Sequence, residues 1–143
     1  KYPVINVMED QISYLAKHQY GGTIRLGAYP CVVKKGTKLE DAYLKYGKGI
    51  NAPWFIPRGK EVAKSKSIVI YERHRHRYEF NNKYIKDFEK NGLIISGTSP
   101  DGKLVEAIEI QDHKFFVGTQ FHPEYISRPL TPHPIFMKFL ESL

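Results

Sequence analysis

The sequence contains little cysteine and no long apolar run. Cys31 is the only cysteine among 143 residues, so an intramolecular disulfide and a CxxC metal or redox pair are both excluded. The apolar runs are short, as at residues 68–71, whereas a membrane-spanning helix needs roughly 20 apolar residues in a row. The sequence therefore predicts a protein without a membrane-spanning helix or a disulfide framework.

A signal-peptide pattern and an initiator methionine are also missing from the start of the chain. The lack of a signal pattern, together with a single thiol, predicts a reducing, cytoplasmic compartment. The chain begins at Lys1, and its first apolar run already has the pattern of a strand, which indicates a piece cut from a longer polypeptide. An upstream targeting segment is therefore left open.

Negative charge is scarce relative to positive charge. The chain has 22 lysines and arginines against 15 aspartates and glutamates, which gives a formal net charge of +7. A basic balance favours a polyanionic partner, such as a nucleic acid, a nucleotide or a membrane surface, without distinguishing among them. Hydrophobic residues make up 41% of the sequence, which is enough to build the core of one globular domain.

The apolar pattern predicts a mixed α/β fold with an antiparallel strand pair late in the chain. Residues 93–98 and 103–110 are predicted strands, and the Pro-Asp-Gly sequence at residues 100–102 is typical of a tight turn between them. Pro30 is expected to interrupt the extended segments on either side of it. Further strands are predicted at residues 4–8, 23–27, 31–33, 67–71 and 115–120.

Three helices complete the predicted fold. Residues 39–46 have helical spacing, and Asn81 or the asparagine after it can cap a second helix that ends at Gly92. A terminal helix is predicted to begin at residues 133–134, where proline occupies the first turn. Its apolar residues are expected to face inward: Phe136, Phe139 and Leu140.

A histidine and a glutamate at the end of an apolar strand are the strongest local candidates for chemistry. His122 and Glu124 are two positions apart, and in an extended segment they would project to the same side. The carboxylate can then hold one imidazole nitrogen and leave the other free to take a proton from a nucleophile. An isolated His-x-Glu is more often a solvated pair on a loop, so the pattern alone does not establish a site.

The residues themselves supply no nucleophile for this pair. Such a nucleophile usually lies on a sharp strand-to-helix turn between small residues, whereas Cys31 lies between Pro30 and Val32 in a predicted strand. We therefore predict that Cys31 is a packed structural residue. The sequence by itself predicts an α/β domain with half of an acyl-transfer site.

Two other segments could bind a ligand. Residues 73–77 alternate arginine with histidine, and they could hold a phosphate or carboxylate or form a solvated basic loop. Residues 21–27 carry three glycines beside Thr23 and Arg25 without matching a nucleotide-binding motif. The histidines lack the cysteine or acidic companions of a zinc site, so no metal is predicted.

Taken together, three segments resemble the CTP synthase family. They are GGTIRLGA at residues 21–28, ERHRHRYE at residues 72–79 and QFHPE at residues 120–124. Their order and spacing are similar to the C-terminal part of that family's class I glutamine amidotransferase domain. The resemblance implies an α/β, class I glutamine amidotransferase-like fold over residues 1–143, with a flavodoxin-like central sheet, helices and an incomplete N-terminal side. Residues from about 44 to 66, rich in glycine, proline and lysine, are interpreted as a surface insertion.

The resemblance also implies a role for individual residues. The family hydrolyses L-glutamine to glutamate and ammonia through a cysteine nucleophile and a glutamyl thioester, with His122 matching the base and Glu124 the residue that orients it. Arg77 and Tyr78 match the segment that holds glutamine. Thr23 and Arg25 match residues involved in the response to GTP, the activator. The family's Gly-x-Cys-x-Gly nucleophile turn lies upstream of all these segments, so the chain alone is predicted to be inactive.

Partners and cofactors are implied in the same way. The ammonia passes to a synthetase domain of the same enzyme, which converts UTP to CTP with ATP and Mg²⁺, so no cofactor is expected in this chain. The full-length enzyme is expected to be a homotetramer that binds neither nucleic acid nor membrane. Two alternatives remain: an amidotransferase-like binding module without activity, and a basic nucleic-acid-binding domain centred on residues 73–77. Glu72 and Glu79, which flank the arginines, argue against the second.

Overall fold

A computed structural model describes residues 2–7, 12, 24–47 and 67–143. All structural statements concern these residues. Thr23, residues 8–22 except residue 12, and residues 48–66 of the predicted insertion lie outside the described residues. Residues 44–46 belong to a helix, and Gly47 caps its end.

The described part of the chain contains these strands: β1 Ile5–Val7, β2 Arg25–Val33, β3 Val69–His76, β4 Tyr78–Phe80, β5 Leu93–Thr98, β6 Val105–Ile110 and β7 Val117–Thr119. Five of them form an antiparallel sheet in the order β3-β2-β5-β6-β7, and every neighbouring pair in it is antiparallel. A separate two-stranded ribbon pairs β1 with β4, also antiparallel.

The predicted helices are present, with sequence signals at their ends. Thr37 caps α1, where its side chain accepts a hydrogen bond from the Glu40 N–H. Asn81 caps a short 3-10 helix that leads into α2, and Gly92 follows α2 with a φ of 87°. The helices are α1 Lys38–Tyr46, α2 Ile85–Lys90 and α3 Pro134–Glu141, with 3-10 helices at Asn82–Tyr84 and Pro123–Tyr125. None of the helices in the described ranges is long and apolar enough to cross a bilayer.

The core lies where the sheet meets α1 and α3. Its buried members come from both layers: Cys31, Val33, Leu39, Tyr43, Ile70, Ala107, Phe121 and Ile135. Glu109 of β6 fixes the start of α1, because its carboxylate accepts hydrogen bonds from the N–H groups of Lys38 and Leu39. A negative charge at a helix N-terminus is also favourable to the helix dipole.

Two details of the predicted elements were wrong. Pro30 does not interrupt the extended segments, since β2 runs continuously from residue 25 to 33. At this position β2 pairs only with β3, because β5 reaches no further than Val32 and Val33. On the side of β2 away from β3, position 30 has no neighbouring strand, so the missing N–H of Pro30 removes no strand-pairing hydrogen bond there.

The second correction concerns the apolar face of α3. Phe136, Phe139 and Leu140 were expected to face inward, but 37%, 46% and 59% of their respective surfaces are exposed. The inward residues are Pro134 and Ile135 instead. Two ion pairs join α3 to α1, one from Lys138 to Asp41 and one from Glu141 to Lys45.

Candidate active site

His122 lies just beyond β7, where the chain leaves the sheet. Pro123 begins the 3-10 helix Pro123–Tyr125, and His122 caps its start with φ −111° and ψ 88°. The His122 N–H donates to the Arg73 carbonyl of β3 at 2.8 Å. The curled sheet thus brings the segment after its last strand, β7, against its opposite edge strand, β3.

Glu124 contacts the His122 ring, as predicted. His122 Nδ1 and Glu124 Oε1 are 2.7 Å apart. The contact arises because the 3-10 turn folds residue 124 back toward residue 122, and not because both residues lie in an extended strand. A carboxylate can only accept, so in the neutral form of the ring Nδ1 carries the proton and Nε2 has the lone pair. The His122 side chain is 32% exposed, which leaves the ring accessible.

The electrostatics of Glu124 suit this contact. Partial burial raises the pKa of its carboxyl, but the hydrogen bond from His122, a backbone hydrogen bond and nearby positive charge outweigh burial and hold the pKa below its ordinary value. Glu124 is therefore ionised at neutral pH and can accept the Nδ1 hydrogen bond throughout the physiological range.

Tyr125, the next residue, stacks on the imidazole of His122. The two ring centroids are 4.6 Å apart, and the ring planes differ by 11°. The Tyr125 N–H also donates to the His122 carbonyl at 3.1 Å. Glu124 thus contacts the His122 ring at its edge, and Tyr125 contacts one of its faces.

The structure places the predicted glutamine-binding segment beside this site. Gln120 Nε2 donates to the Tyr78 carbonyl at 2.7 Å, which joins the strand leading to His122 to the start of β4. Arg77 is half-buried between β3 and β4, and Tyr78 is exposed. The backbone of residues 73–78 is therefore adjacent to residues 120–122 at two points.

Arg25, by contrast, is buried within a charged cluster. Its guanidinium lies 2.6 Å from a carboxylate oxygen of Glu106 and 3.5 Å from one of Glu79. Only 8% of Arg25 is exposed, and Glu106 is fully buried. Burial raises the pKa of the Glu106 carboxyl and outweighs the hydrogen bond and charge of Arg25, which act to lower it. The guanidinium is committed to carboxylates of its own chain.

The two histidines of β3 complete this charged cluster. His74 Nδ1 and His76 Nε2 are 2.7 Å apart, so one ring donates to the other. Burial, followed by the positive charge of Arg25, lowers the pKa of His74 to about 3 and of His76 to about 4. A proton on His122 would act in the same direction on both rings, after these larger causes. Both cluster histidines are neutral at pH 7.

Cys31 is a packed residue, as the sequence predicted. It is fully buried, and burial raises the pKa of its thiol, followed by the negative charges of Glu106 and Glu72. A Cβ placed on Gly97 would lie 2.6 Å from the Cys31 sulfur, which shows how closely β5 approaches it. A thiol that is neutral and inaccessible cannot serve as a nucleophile.

A second buried cluster joins β3, α1 and α3. Tyr43 Oη donates to a carboxylate oxygen of Glu72 at 2.5 Å, and His133 Nε2 lies 3.1 Å from the same oxygen. All three side chains are at most 1% exposed. The glutamate that opens the ERHRHRYE sequence therefore fixes the helices to the sheet.

Sequence reasoning missed the partners of these buried groups. It singled out Arg25 without Glu106, and His122 without Tyr125. The available signals were Glu106 within the apolar β6 strand and an aromatic residue directly after His-Pro-Glu. Across residues 2–7, 12, 24–47 and 67–143, no group of three histidine, cysteine or acidic side chains could hold a metal ion.

Comparison with known proteins gives a consistent family. The family model for glutamine amidotransferase class-I matches residues 15–142. CTP synthases from Aquifex aeolicus and Shouchella clausii are each 46% identical over 141 residues, and that of Staphylococcus aureus is 47% identical. Each alignment covers 99% of this chain but 22% of the relative, so the chain spans about a fifth of the length of these relatives.

A solved structure shares the fold. The glutaminase domain of CTPS from Trypanosoma brucei, determined with bound acivicin, matches with a TM-score of 0.73 and 31% identity. The match covers 99% of this chain and 46% of that domain structure. The predicted α/β amidotransferase-like fold is thereby confirmed, although the described strands pair antiparallel, whereas those of a flavodoxin-like sheet are mostly parallel. With its fold and sequence agreeing, the chain belongs to the class I glutamine amidotransferase family and corresponds to part of the glutamine amidotransferase domain of CTP synthases.

Proposed function

We propose that this chain carries the general base of a CTP synthase glutaminase. The observation that supports the proposal is the 2.7 Å contact between His122 Nδ1 and Glu124 Oε1. It leaves an imidazole nitrogen with a lone pair on a partly exposed ring at the end of a strand. That is the arrangement a base needs to deprotonate a thiol.

The reaction then proceeds in two halves. His122 Nε2 takes the proton of a cysteine thiol supplied from outside these 143 residues, and the thiolate attacks the side-chain amide carbon of L-glutamine. The imidazolium returns the proton to the amide nitrogen, so that ammonia leaves and a glutamyl thioester remains. In the second half His122 takes a proton from water, which attacks the thioester carbon and breaks the carbon–sulfur bond. Glutamate is released, and the imidazolium returns its proton to the departing thiolate, which restores the thiol.

The neighbouring residues have supporting roles in this proposal. Glu124 orients the His122 ring and stabilises the imidazolium that forms in each half-reaction. Arg77, with Tyr78 beside it, binds glutamine, because a guanidinium can hold a carboxylate through two parallel hydrogen bonds. Their position next to residues 120–122 supports this assignment.

The remaining expectations concern the whole enzyme. Ammonia passes to a synthetase domain that uses ATP and Mg²⁺ to convert UTP to CTP in the cytoplasm, GTP activates glutamine hydrolysis, and the full-length enzyme is a homotetramer. Because Cys31 is the only thiol here and is buried, the chain alone is inactive in glutamine hydrolysis. The proposals about the synthetase domain are made because the relatives at 46–47% identity are CTP synthases.

The test compares two nitrogen sources in the full-length protein. The substitution His122→Asn removes the base while keeping a small polar side chain. We expect CTP synthesis from glutamine to fall by about 10²- to 10⁴-fold, the usual contribution of a general base, and synthesis from added ammonia to remain. Unchanged synthesis from glutamine would refute the proposal and favour a binding module without activity.

A further inference from the structure

The hydrogen bond to Glu124 leaves one motion of the His122 ring unrestrained. A single hydrogen bond at Nδ1 fixes a point on the ring, and the ring can still tilt about that contact. Glu124 itself is 56% exposed, so its carboxylate is not held by packing. The direction of Nε2 therefore requires a second restraint across the face of the ring.

We propose that Tyr125 is the positioning residue that supplies this restraint. Its ring stacks on the imidazole with centroids 4.6 Å apart and planes within 11° of parallel. At this separation tilting of the imidazole would drive its edge into the tyrosine ring. The inference rests on the proposed function, since it assigns Tyr125 a role only if His122 is the base.

The backbone of Tyr125 is held firmly enough for this task. Tyr125 ends the 3-10 helix that begins at Pro123, a buried residue with a fixed φ. The Tyr125 N–H donates to the His122 carbonyl, and its own carbonyl accepts from Arg128 Nη1 at 3.3 Å. The stacked ring and the base therefore belong to one hydrogen-bonded turn.

Stacking depends on the aromatic ring and not on its hydroxyl. Phenylalanine at position 125 should therefore preserve the contact, whereas leucine keeps the apolar volume but lacks a flat face. Misorientation of a catalytic group by about 1 Å can cost about 10²-fold in rate. A loss of position should lower kcat for glutamine hydrolysis and leave binding of glutamine unchanged.

The experiment uses full-length enzyme carrying Tyr125→Leu or Tyr125→Phe, with Tyr84→Leu as a matched control. Tyr84 also ends a three-residue 3-10 helix, and its N–H donates to the carbonyl of Asn81, the residue before that helix. We expect Tyr125→Leu to lower kcat for glutamine by about 10- to 100-fold. In Tyr125→Leu, the KM for glutamine and the rate of synthesis from added ammonia should stay within about twofold of the wild-type values. In Tyr125→Phe and in the Tyr84→Leu control, kcat for glutamine should also stay within about twofold of the wild-type value.

Two outcomes would overturn the inference. One is an unchanged kcat in Tyr125→Leu, and the other is a loss in Tyr125→Phe as large as in Tyr125→Leu. If Tyr125→Leu also loses synthesis from ammonia, Tyr125→Met replaces it, and the same two outcomes decide. Failure of the proposed function is recognised separately, because His122→Asn would then retain synthesis from glutamine.

Discussion

At the scale of single residues, the chemistry depends on how each charged group is compensated. Glu124 is exposed and ionised, so it can support a transient imidazolium on His122 without a fixed positive partner. Arg25 is in the opposite situation, because it is buried against Glu106 and Glu79. Removal of a charge from such a buried pair leaves the other charge uncompensated, which is a large cost.

Arg25 therefore gives a prediction about stability. The substitution Arg25→Gln in the full-length enzyme should lower the local free energy of unfolding of β2, β3 and β6 by about 3–5 kcal/mol. Hydrogen exchange of peptides from these strands measures it, with Arg75→Gln as the control, since Arg75 on β3 is exposed.

Under the proposed activation by GTP, the same variant separates two explanations of a changed GTP response. If Arg25 acts through the cluster, loss of GTP activation should accompany faster hydrogen exchange in these strands. Loss of GTP activation with unchanged exchange would instead indicate a direct contact between the guanidinium and the nucleotide.

At the scale of secondary-structure elements, β3 divides its residues between two faces. Arg73 and Arg75 are exposed, while Glu72 and His74 are buried. Residues 73–76 form part of a strand and not the solvated loop that the sequence left open, and side chains of a strand point to opposite faces in turn. The roles of the buried residues were not predictable from this alternation, since the partner of each lies on another element.

The lowered pKa values of β3 predict how stability depends on pH. His74 and His76 have pKa values of about 3 and 4 in the folded state, against 6.5 ordinarily. Between these values the unfolded chain binds protons that the folded chain does not. These rings therefore do not reduce the free energy of unfolding above pH 6.5, and they reduce it as the pH falls from 6.5 toward 4. The slope is at most about 1.4 kcal/mol per pH unit for each ring. Glu106, whose pKa is raised, opposes part of this loss.

Hydrogen exchange of β2 and β3 at pH 7 and pH 5 measures this dependence, after correction for the intrinsic exchange rates. The double substitution His74→Asn and His76→Asn should flatten the dependence. The control His113→Asn, at an exposed histidine, should not change it. An equal slope in the wild type and the double variant would contradict the origin assigned here.

At the scale of the whole molecule, local signals predicted the elements and distant contacts arranged them. The turn at residues 100–102, the cap at Asn81 and the stop at Gly92 are each readable within a few residues of sequence. The contact between Tyr43 and His133 joins residues 90 positions apart. No local pattern indicates such a pair, nor which face of α3 turns outward.

The candidate site divides in the same way. His122 and Glu124 were found because a two-residue spacing is visible in the sequence, and the stack of Tyr125 was missed because it depends on the 3-10 turn. The resemblance to CTP synthases supplied what neither spacing nor composition could, namely the expectation of a nucleophile outside these residues. That expectation is the central claim about the molecule as a whole.

Trapping of the covalent intermediate tests this claim most directly. Full-length enzyme is mixed with glutamine, quenched in acid and digested, and the glutamyl adduct is located by mass spectrometry. We predict an adduct on a cysteine outside residues 1–143 in the wild type, and none in His122→Asn on the same timescale. An adduct on Cys31, or undiminished adduct formation without the His122 imidazole, would contradict the account.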